Sequence, residues 1–140
     1  MTVPLWVLLT LAVWTLLVLL AGVGLHRWSL ILSSKAELTD FPGGVAEGAP
    51  AYCRAVRAHA NCVENLPVYG AIAITAAIAG VDTPRLDQLA IVLLIARIGQ
   101  TLIHMIFRET NRTVAIRFGF FAVQLLAMFW MAAIVAMTAW

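Results

Sequence analysis

Charged side chains are scarce in this sequence. Of its 140 residues, 11% are charged and 63% are hydrophobic, and the mean hydropathy is +0.96. Soluble domains carry a charge on about a quarter of their residues, so this composition excludes an ordinary soluble domain and predicts a membrane protein. The net charge of +2 is too small to predict a nucleic-acid partner, and no basic block stands apart from the apolar segments.

Cysteine and histidine are also rare. The chain has two cysteines, Cys53 and Cys62, and three histidines. The cysteines are predicted to lie on opposite faces of one helix, so they cannot pair within the chain. We expect both to be small packing residues. The histidines lack the spacing of a metal site, and we therefore expect no metal.

Long apolar runs dominate the rest of the sequence and predict an all-α, four-helix membrane bundle in one domain, residues 1–140. We predict transmembrane helices at about residues 3–25, 51–79, 84–107 and 112–140. At about 1.5 Å per residue, each is long enough to cross a hydrocarbon core of about 30 Å. Thr83 and Asn111 are the candidate N-caps of the third and fourth helices.

Basic residues concentrate on one side of the predicted bundle. Seven of the nine belong to the first and third loops or the adjoining helix ends: Arg27, Lys35, Arg54, Arg57, Arg108, Arg112 and Arg117. Short cytoplasmic loops collect lysine and arginine. We therefore predict a multi-pass protein of the cell (inner) membrane, with both termini outside and these loops in the cytoplasm.

Polar stripes run along the predicted helices at the cytoplasmic side. On the second helix the stripe comprises Arg54, Arg57, Asn61 and Glu64, which share a face at helical spacing. On the third helix it comprises Arg97, Gln100, Thr101, His104 and Arg108. Ionisable groups at membrane depth are costly unless they are paired or face a wet cavity. The stripes therefore predict a basic pocket for a small anion with several carboxylates, since arginine binds carboxylate bidentately.

The polar stripe of the second helix also carries a family resemblance. Residues 57–65, RAHANCVEN, resemble a helix motif of the MAPEG family, the membrane-associated proteins in eicosanoid and glutathione metabolism. The residue pattern is most similar to that of the microsomal glutathione transferases. Residues 96–101 (ARIGQT) and 111–112 (NR) are similar to the family's motifs in the third helix and at the start of the fourth. The resemblance covers about residues 26–124 and implies a homotrimer with active sites between neighbouring subunits.

The resemblance implies glutathione as the co-substrate and Arg112 as the catalytic arginine. A nearby cation or a helix N-terminus lowers the pKa of a thiol, and Arg112 at the start of the fourth helix combines both. The expected activity is a glutathione-dependent transferase or peroxidase. The thiolate would attack an apolar electrophile or lipid hydroperoxide arriving through the bilayer.

The resemblance also implies the residues that bind glutathione. Arg57, Asn61 and Glu64 match the family's contacts on the second helix, and Arg97 matches an arginine of the third helix. On the first helix, His26 or Arg27 loosely matches an arginine of the family. Arg54 and His104 complete the predicted binding set because they lie on the same polar stripes. Glu64 is the expected partner of the glutathione amine.

Several alternatives stay open. Gln100 and His104 stand where relatives have histidine and tyrosine, and the turn before Arg112 is one residue shorter than in the closest relatives. Arg117 is therefore a rival catalytic residue, about 140° from Arg112 around a helix. The polar residues could instead form an interhelical network in a non-catalytic lipid-binding or scaffolding protein. A proton-coupled carrier with Glu64 and His104 as a relay is a third reading.

Overall fold

The computed structural model describes residues 1–41 and 47–138. Within these ranges the regular secondary structure is entirely helical. The elements are α1 (Val3–Val18), a π-helical segment (Leu19–Gly24), α2 (Leu25–Leu32), a 3-10 turn (Leu38–Asp40), α3 (Pro50–Ile78), α4 (Pro84–Ile106) and α5 (Asn111–Thr138).

The first three elements join into one continuous helix, Val3–Leu32. The prediction that this helix ends near residue 25 is wrong. The π segment keeps the backbone helical across Gly22 and Gly24, and the polar residues that follow do not interrupt it. The helix ends at Ser33, and Ser34 then adopts a left-handed conformation with φ of 55°. A left-handed residue just past the last turn is a common way to end a helix.

Three helical segments are long and apolar enough to cross a membrane: Val3–Leu32, Pro84–Ile106 and Asn111–Thr138. Many of their large apolar side chains face outward, including those of Leu16, Ile95 and Leu126. Outward-facing apolar side chains are expected where lipid covers the surface. Helix α3 is also long, with 29 residues. It is not one of these apolar segments, because its first half carries the polar stripe.

The main core joins all four long helices. It comprises Val7, Leu11, Tyr69, Ala73, Ala76, Leu86, Ala90, Leu93, Ala127, Met128, Met131 and Val135. Tyr69 of α3 also donates a hydrogen bond of 3.0 Å to the carbonyl oxygen of Pro4. This bond ties the middle of α3 to the first turn of α1.

Two threonines cap the last two helices. Thr83 precedes α4, and its hydroxyl accepts a hydrogen bond of 3.3 Å from the Leu86 N–H, which confirms the predicted cap. For α5 the predicted cap, Asn111, is wrong. The backbone N–H of Thr113 donates to the hydroxyl of Thr110 over 3.2 Å, and the Thr110 N–H donates to the Thr113 hydroxyl over 2.8 Å. Asn111 is already the first helical residue.

Glycines allow close helix contacts at two places. A Cβ atom added to Gly22 in the π segment would lie 2.9 Å from the Cβ of Ala55 in α3. A Cβ atom added to Gly99 in α4 would lie 3.1 Å from the Phe120 ring in α5. Small residues at such contacts let helix backbones approach closely, as is common in membrane bundles.

Candidate functional site

A basic groove opens between the first turns of α3 and the turn that joins α4 to α5. It is lined by Pro50, Ala51, Cys53, Arg54, Arg57, Arg108 and Glu109, and its volume is about 670 Å³. Three arginines and one carboxylate therefore face the same space. This excess of positive charge favours an anionic ligand.

The carboxylate of Glu109 lies between two arginines from different helices. Its Oε1 atom is 3.6 Å from Nη1 of Arg57 in α3 and 3.4 Å from Nη1 of Arg117 in α5. The side chain of Arg57 is 68% exposed, that of Glu109 is 45% exposed, and that of Arg117 is 20% exposed. Exposed ion pairs contribute little to stability, so their importance here is geometric. Two guanidinium groups converge on one carboxylate.

The remaining groove arginines are oriented differently. The Nε of Arg54 is 3.5 Å from the carbonyl oxygen of Met105, near the end of α4. This contact brings the start of α3 and the end of α4 together at the groove. Arg108 is exposed in the turn itself, where its charge adds to that of Arg54 and Arg57.

The polar stripe of α4 lies mostly inside the bundle and not in the groove. Arg97, Gln100, Thr101 and His104 are all buried. Arg97 donates from Nη1 to Oε1 of Gln100 over 3.0 Å, and the Gln100 amide donates to the carbonyl oxygen of Arg117 over 3.3 Å. The stripe thus connects the core to the backbone of the arginine that contacts Glu109.

The two candidate catalytic arginines have different surroundings. Arg112 lies in the first turn of α5 and is exposed, and no hydrogen bond or ion pair joins its side chain to the described residues. Arg117 lies deeper in the helix and contacts Glu109. Within the chain, the structure therefore brings Arg117, and not Arg112, to the side of α5 that faces Arg57.

The rest of the α3 stripe lies along the outer surface of the subunit. Asn61 is half-buried, and its carbonyl oxygen accepts a hydrogen bond of 3.3 Å from the Asn65 amide. Glu64 is exposed. The opposite face of α3 carries the buried residues, among them Ala58 and Cys62. The stripe thus continues away from the groove along a face that the subunit itself leaves uncovered.

The sequence model of the MAPEG family matches residues 3–137, nearly the whole chain. The chain belongs to the MAPEG family. It is therefore a membrane protein of a family named for eicosanoid and glutathione metabolism. A search of curated proteins finds no match.

In this MAPEG protein, five of the seven predicted glutathione-binding residues do not line the groove: two lie farther along the α3 stripe, and three lie elsewhere in the bundle. Arg97 and His104 are in the core. Arg27 donates from Nε to the hydroxyl of Tyr52 over 2.6 Å, and its guanidinium carbon lies 5.2 Å from the centre of the Phe41 ring. Contacts of this kind between arginine and aromatic rings are stabilising. They hold Arg27 against the buried side of α3.

Two important residues were missed in the sequence. Glu109 stood in a short charged turn, and nothing in its spacing predicted that it would contact arginines of both α3 and α5. Gln124 was visible as a polar residue inside an apolar helix, which is a usable indication of an interhelical contact. Its amide donates to Oε1 of Gln100 over 3.0 Å.

Two further expectations concern metal and proton chemistry. Among the described residues, no group of three or more histidine, cysteine or acidic side chains is arranged to hold a metal ion. Glu64 is exposed on α3, whereas His104 is buried on α4. No described contact joins these two side chains, so the structure does not bring together the relay expected of a proton-coupled carrier.

Proposed function

We propose that this MAPEG protein is a glutathione-dependent transferase or peroxidase embedded in the membrane. The observation that carries the proposal is the position of the Glu109 carboxylate, 3.6 Å from Arg57 and 3.4 Å from Arg117. A pair of arginines that already holds one carboxylate is suited to hold that of a ligand. Glutathione carries two carboxylates, an amine and a thiol, and the groove has room for a molecule of this size.

The residues of the proposed site, in the groove and along the adjoining α3 face, have separate roles in this proposal. Arg54 and Arg57 bind the carboxylates of glutathione, Asn61 binds its backbone, and Glu64 binds its amine. Arg97 acts indirectly, because Gln100 connects its guanidinium to the Arg117 carbonyl over 3.0 and 3.3 Å. Direct contacts from Arg27 and His104 would need a rearrangement of their present surroundings, so we assign them no contact in the groove.

Arg112 is the proposed thiolate-stabilising residue. It combines a positive charge with the N-terminus of α5, and both favour the thiolate over the thiol. The thiolate sulfur then forms a bond to an electrophilic carbon of the second substrate, which either takes up a proton after addition or loses its leaving group as an anion. With a hydroperoxide the sulfur attacks the terminal oxygen, the O–O bond breaks, and the alkoxide takes up a proton and leaves as the alcohol. A second glutathione thiol then converts the sulfenic acid to glutathione disulfide and water. Arg117 is the rival, because it is the α5 arginine closer to the groove.

The membrane supplies the second substrate. We propose that α3 is the fourth membrane-spanning helix, since its second half is apolar and packs in the same core as the other three through Tyr69, Ala73 and Ala76. An apolar electrophile or lipid hydroperoxide dissolved in the bilayer can then approach the groove from the side. Detoxification of such compounds would be the biological role.

The proposed assembly is a homotrimer in the cell (inner) membrane. Arg57, Glu64 and Arg112 are all exposed in the single subunit, although the proposal requires them to surround one ligand. A second copy of the chain packed against α3 would cover this face and complete the site. The groove faces the cytoplasm, and both termini face outside, in accordance with the distribution of basic residues.

A matched pair of variants tests the function. Glu109→Gln removes a carboxylate that competes for Arg57 and Arg117, so we expect glutathione to bind several-fold more tightly. Glu64→Gln removes the partner of the glutathione amine and should weaken binding. Calorimetric titration of the purified protein with glutathione measures both effects. The proposal fails if the wild type binds no glutathione and produces no ultraviolet thiolate absorbance at saturating glutathione.

A non-catalytic lipid-binding or scaffolding role is the second candidate. It is favoured by the burial of Gln100 and His104, which occupy positions where catalytic relatives are expected to have histidine and tyrosine. Neither side chain lines the groove. A protein that binds glutathione without forming the thiolate, or without turning over any electrophile, would support this second candidate.

A further inference from the structure

An internal cavity lies in the core where α1, α3, α4 and α5 meet. Its polar lining consists of Thr15, Cys62, Asn65, Tyr69, Arg97 and Gln124. The space open to the centre of a water-sized sphere is about 10 Å³, which is close to the minimum for one water molecule. The residues of the basic groove do not line this cavity.

Two residues that line the cavity each carry a deeply buried polar atom with no hydrogen-bond partner among the described residues. The two atoms are Nη2 of Arg97, whose residue is 4% exposed, and Oε1 of Gln124, whose residue is 1% exposed. A buried polar atom without a partner is costly in an apolar interior. One of these atoms is a donor and the other is an acceptor.

The orientation of both side chains is fixed by their other hydrogen bonds. Arg97 donates from Nη1 to Oε1 of Gln100 over 3.0 Å. The Nε2 atom of Gln124 donates to the same Gln100 oxygen over 3.0 Å and to the carbonyl oxygen of Phe120 over 2.9 Å. Turning the Gln124 amide over would set its oxygen against two other oxygens, so Oε1 stays on the unpaired side.

We infer that this cavity is a binding site for one ordered water molecule, which accepts from Arg97 Nη2 and donates to Gln124 Oε1. A small anion such as a halide would also accept from Arg97, but the Gln124 oxygen would repel it. Cys62 adds a weak acceptor for the second water proton. The hydroxyl of Thr101 donates its proton to the Arg97 carbonyl oxygen over 2.9 Å, so the Thr101 oxygen receives the thiol proton of Cys62. The Cys62 sulfur can then accept from the water.

The water closes a polar chain that runs from the core to the groove. It joins Gln124 of α5 to Arg97 of α4, and Gln100 continues the chain to the carbonyl oxygen of Arg117 over 3.3 Å. The site therefore fixes α4 against α5, the helix that carries the arginine in contact with Glu109. This inference goes beyond the proposed function, because the water satisfies the two buried atoms whether or not the protein binds glutathione.

Diffraction from the full-length protein tests the inference directly. Crystals are grown in chloride and then exchanged into bromide, at a resolution that resolves ordered water. We expect one peak within hydrogen-bond distance of both Arg97 Nη2 and Gln124 Oε1, without anomalous bromide signal. An anomalous peak there would identify an anion site and overturn the inference. The absence of any peak, with Arg97 turned toward another partner, would overturn it as well.

A pair of cysteine variants gives an independent test by nuclear magnetic resonance of arginine-labelled protein. In the wild type we expect cross-relaxation between the Arg97 guanidinium protons and bound water, assigned with Arg97→Lys. Cys62→Leu fills the cavity and should abolish this cross-peak, whereas Cys53→Leu, which makes the same change outside the cavity, should preserve it. A cross-peak that persists in folded Cys62→Leu contradicts the inference. If Cys62→Leu does not fold, the wild-type diffraction result decides alone.

Discussion

The arginines of this protein differ in their surroundings more than in their positions along the sequence. Arg97 is buried and bonded to Gln100. Arg117 is half-buried and contacts Glu109, whereas Arg112 is exposed in the first turn of α5. Five residues separate the last two along one helix, so they face in different directions. A ligand held at one of them therefore does not contact the other in the same chain.

Replacement of Arg112 tests the thiolate step. Arg112→Ala removes a positive charge while leaving Arg57, Asn61 and Glu64 intact. Loss of one charge-assisted interaction costs about 1.5–3 kcal/mol, so we expect turnover to fall roughly ten- to a hundredfold. The ultraviolet absorbance of bound thiolate should fall with it, and glutathione affinity should change less.

Arg117→Ala is the matched control for this prediction. We expect it to affect packing near the Glu109 contact and the stability of the bundle more than the thiolate absorbance. If Arg112→Ala keeps full thiolate absorbance and turnover while Arg117→Ala loses both, the catalytic role belongs to Arg117.

At the scale of the elements, the contact between the π segment and α3 fixes the position of the first long helix relative to α3. Gly22 approaches Ala55 so closely that an added Cβ atom would be 2.9 Å from the Ala55 Cβ and 3.0 Å from the Met105 side chain. Val23, Tyr52 and Ala55 form a small second core beside this contact. The contact therefore holds the first turns of α3, which line the groove, against the first long helix.

Substitution of Gly22 tests this element-level packing. Gly22→Ala inserts a methyl group into a filled contact, and overpacking of this kind costs about 1–3 kcal/mol. We expect a lower melting temperature in detergent. Gly119→Ala is the control, because a Cβ atom at Gly119 meets nothing within 4 Å and alanine favours a helix. Equal melting temperatures for the two variants would contradict the close contact.

At the scale of the whole molecule, the proposed homotrimer would cover the polar outer face of α3. The mass of the protein in detergent, with the bound detergent subtracted, should correspond to three chains. The reason is that Arg57, Glu64 and Arg112 surround one ligand only if neighbouring subunits share the site. A clean monomer that still binds glutathione would contradict the shared site.

The orientation of the bundle can be measured by cysteine labelling in intact cells, using a variant without the native cysteines. Ser33 and Asp82 are both exposed and lie in different loops. If the basic loops are cytoplasmic, as we propose, Ser33→Cys is protected from an impermeant reagent, whereas Asp82→Cys is labelled. Labelling of Ser33→Cys together with protection of Asp82→Cys would reverse the orientation.

Much of the architecture was predictable because it depends on local chemistry. Apolar length and composition predicted a helical membrane protein, and the hydroxyl of Thr83 followed by Pro84 predicted the start of α4. The motif at residues 57–65 predicted the family, since its residues are contiguous on one helix. Helix ends without such chemistry were predicted less well. The polar residues His26 and Arg27 favoured an end of the first helix near residue 25, although the helix continues to Leu32. Nothing local favoured Thr110 over Asn111 as a cap.

The sequence by itself determined which polar residues share a helix face, because that depends only on the helical repeat. The tertiary structure decided which face is buried, because burial depends on the contacts between helices. It turned Arg97 and His104 into the core, left Arg57 and Glu64 outside, and brought Glu109 between Arg57 and Arg117. The last arrangement joins residues from α3, the connecting turn and α5, so no spacing within one helix could have predicted it.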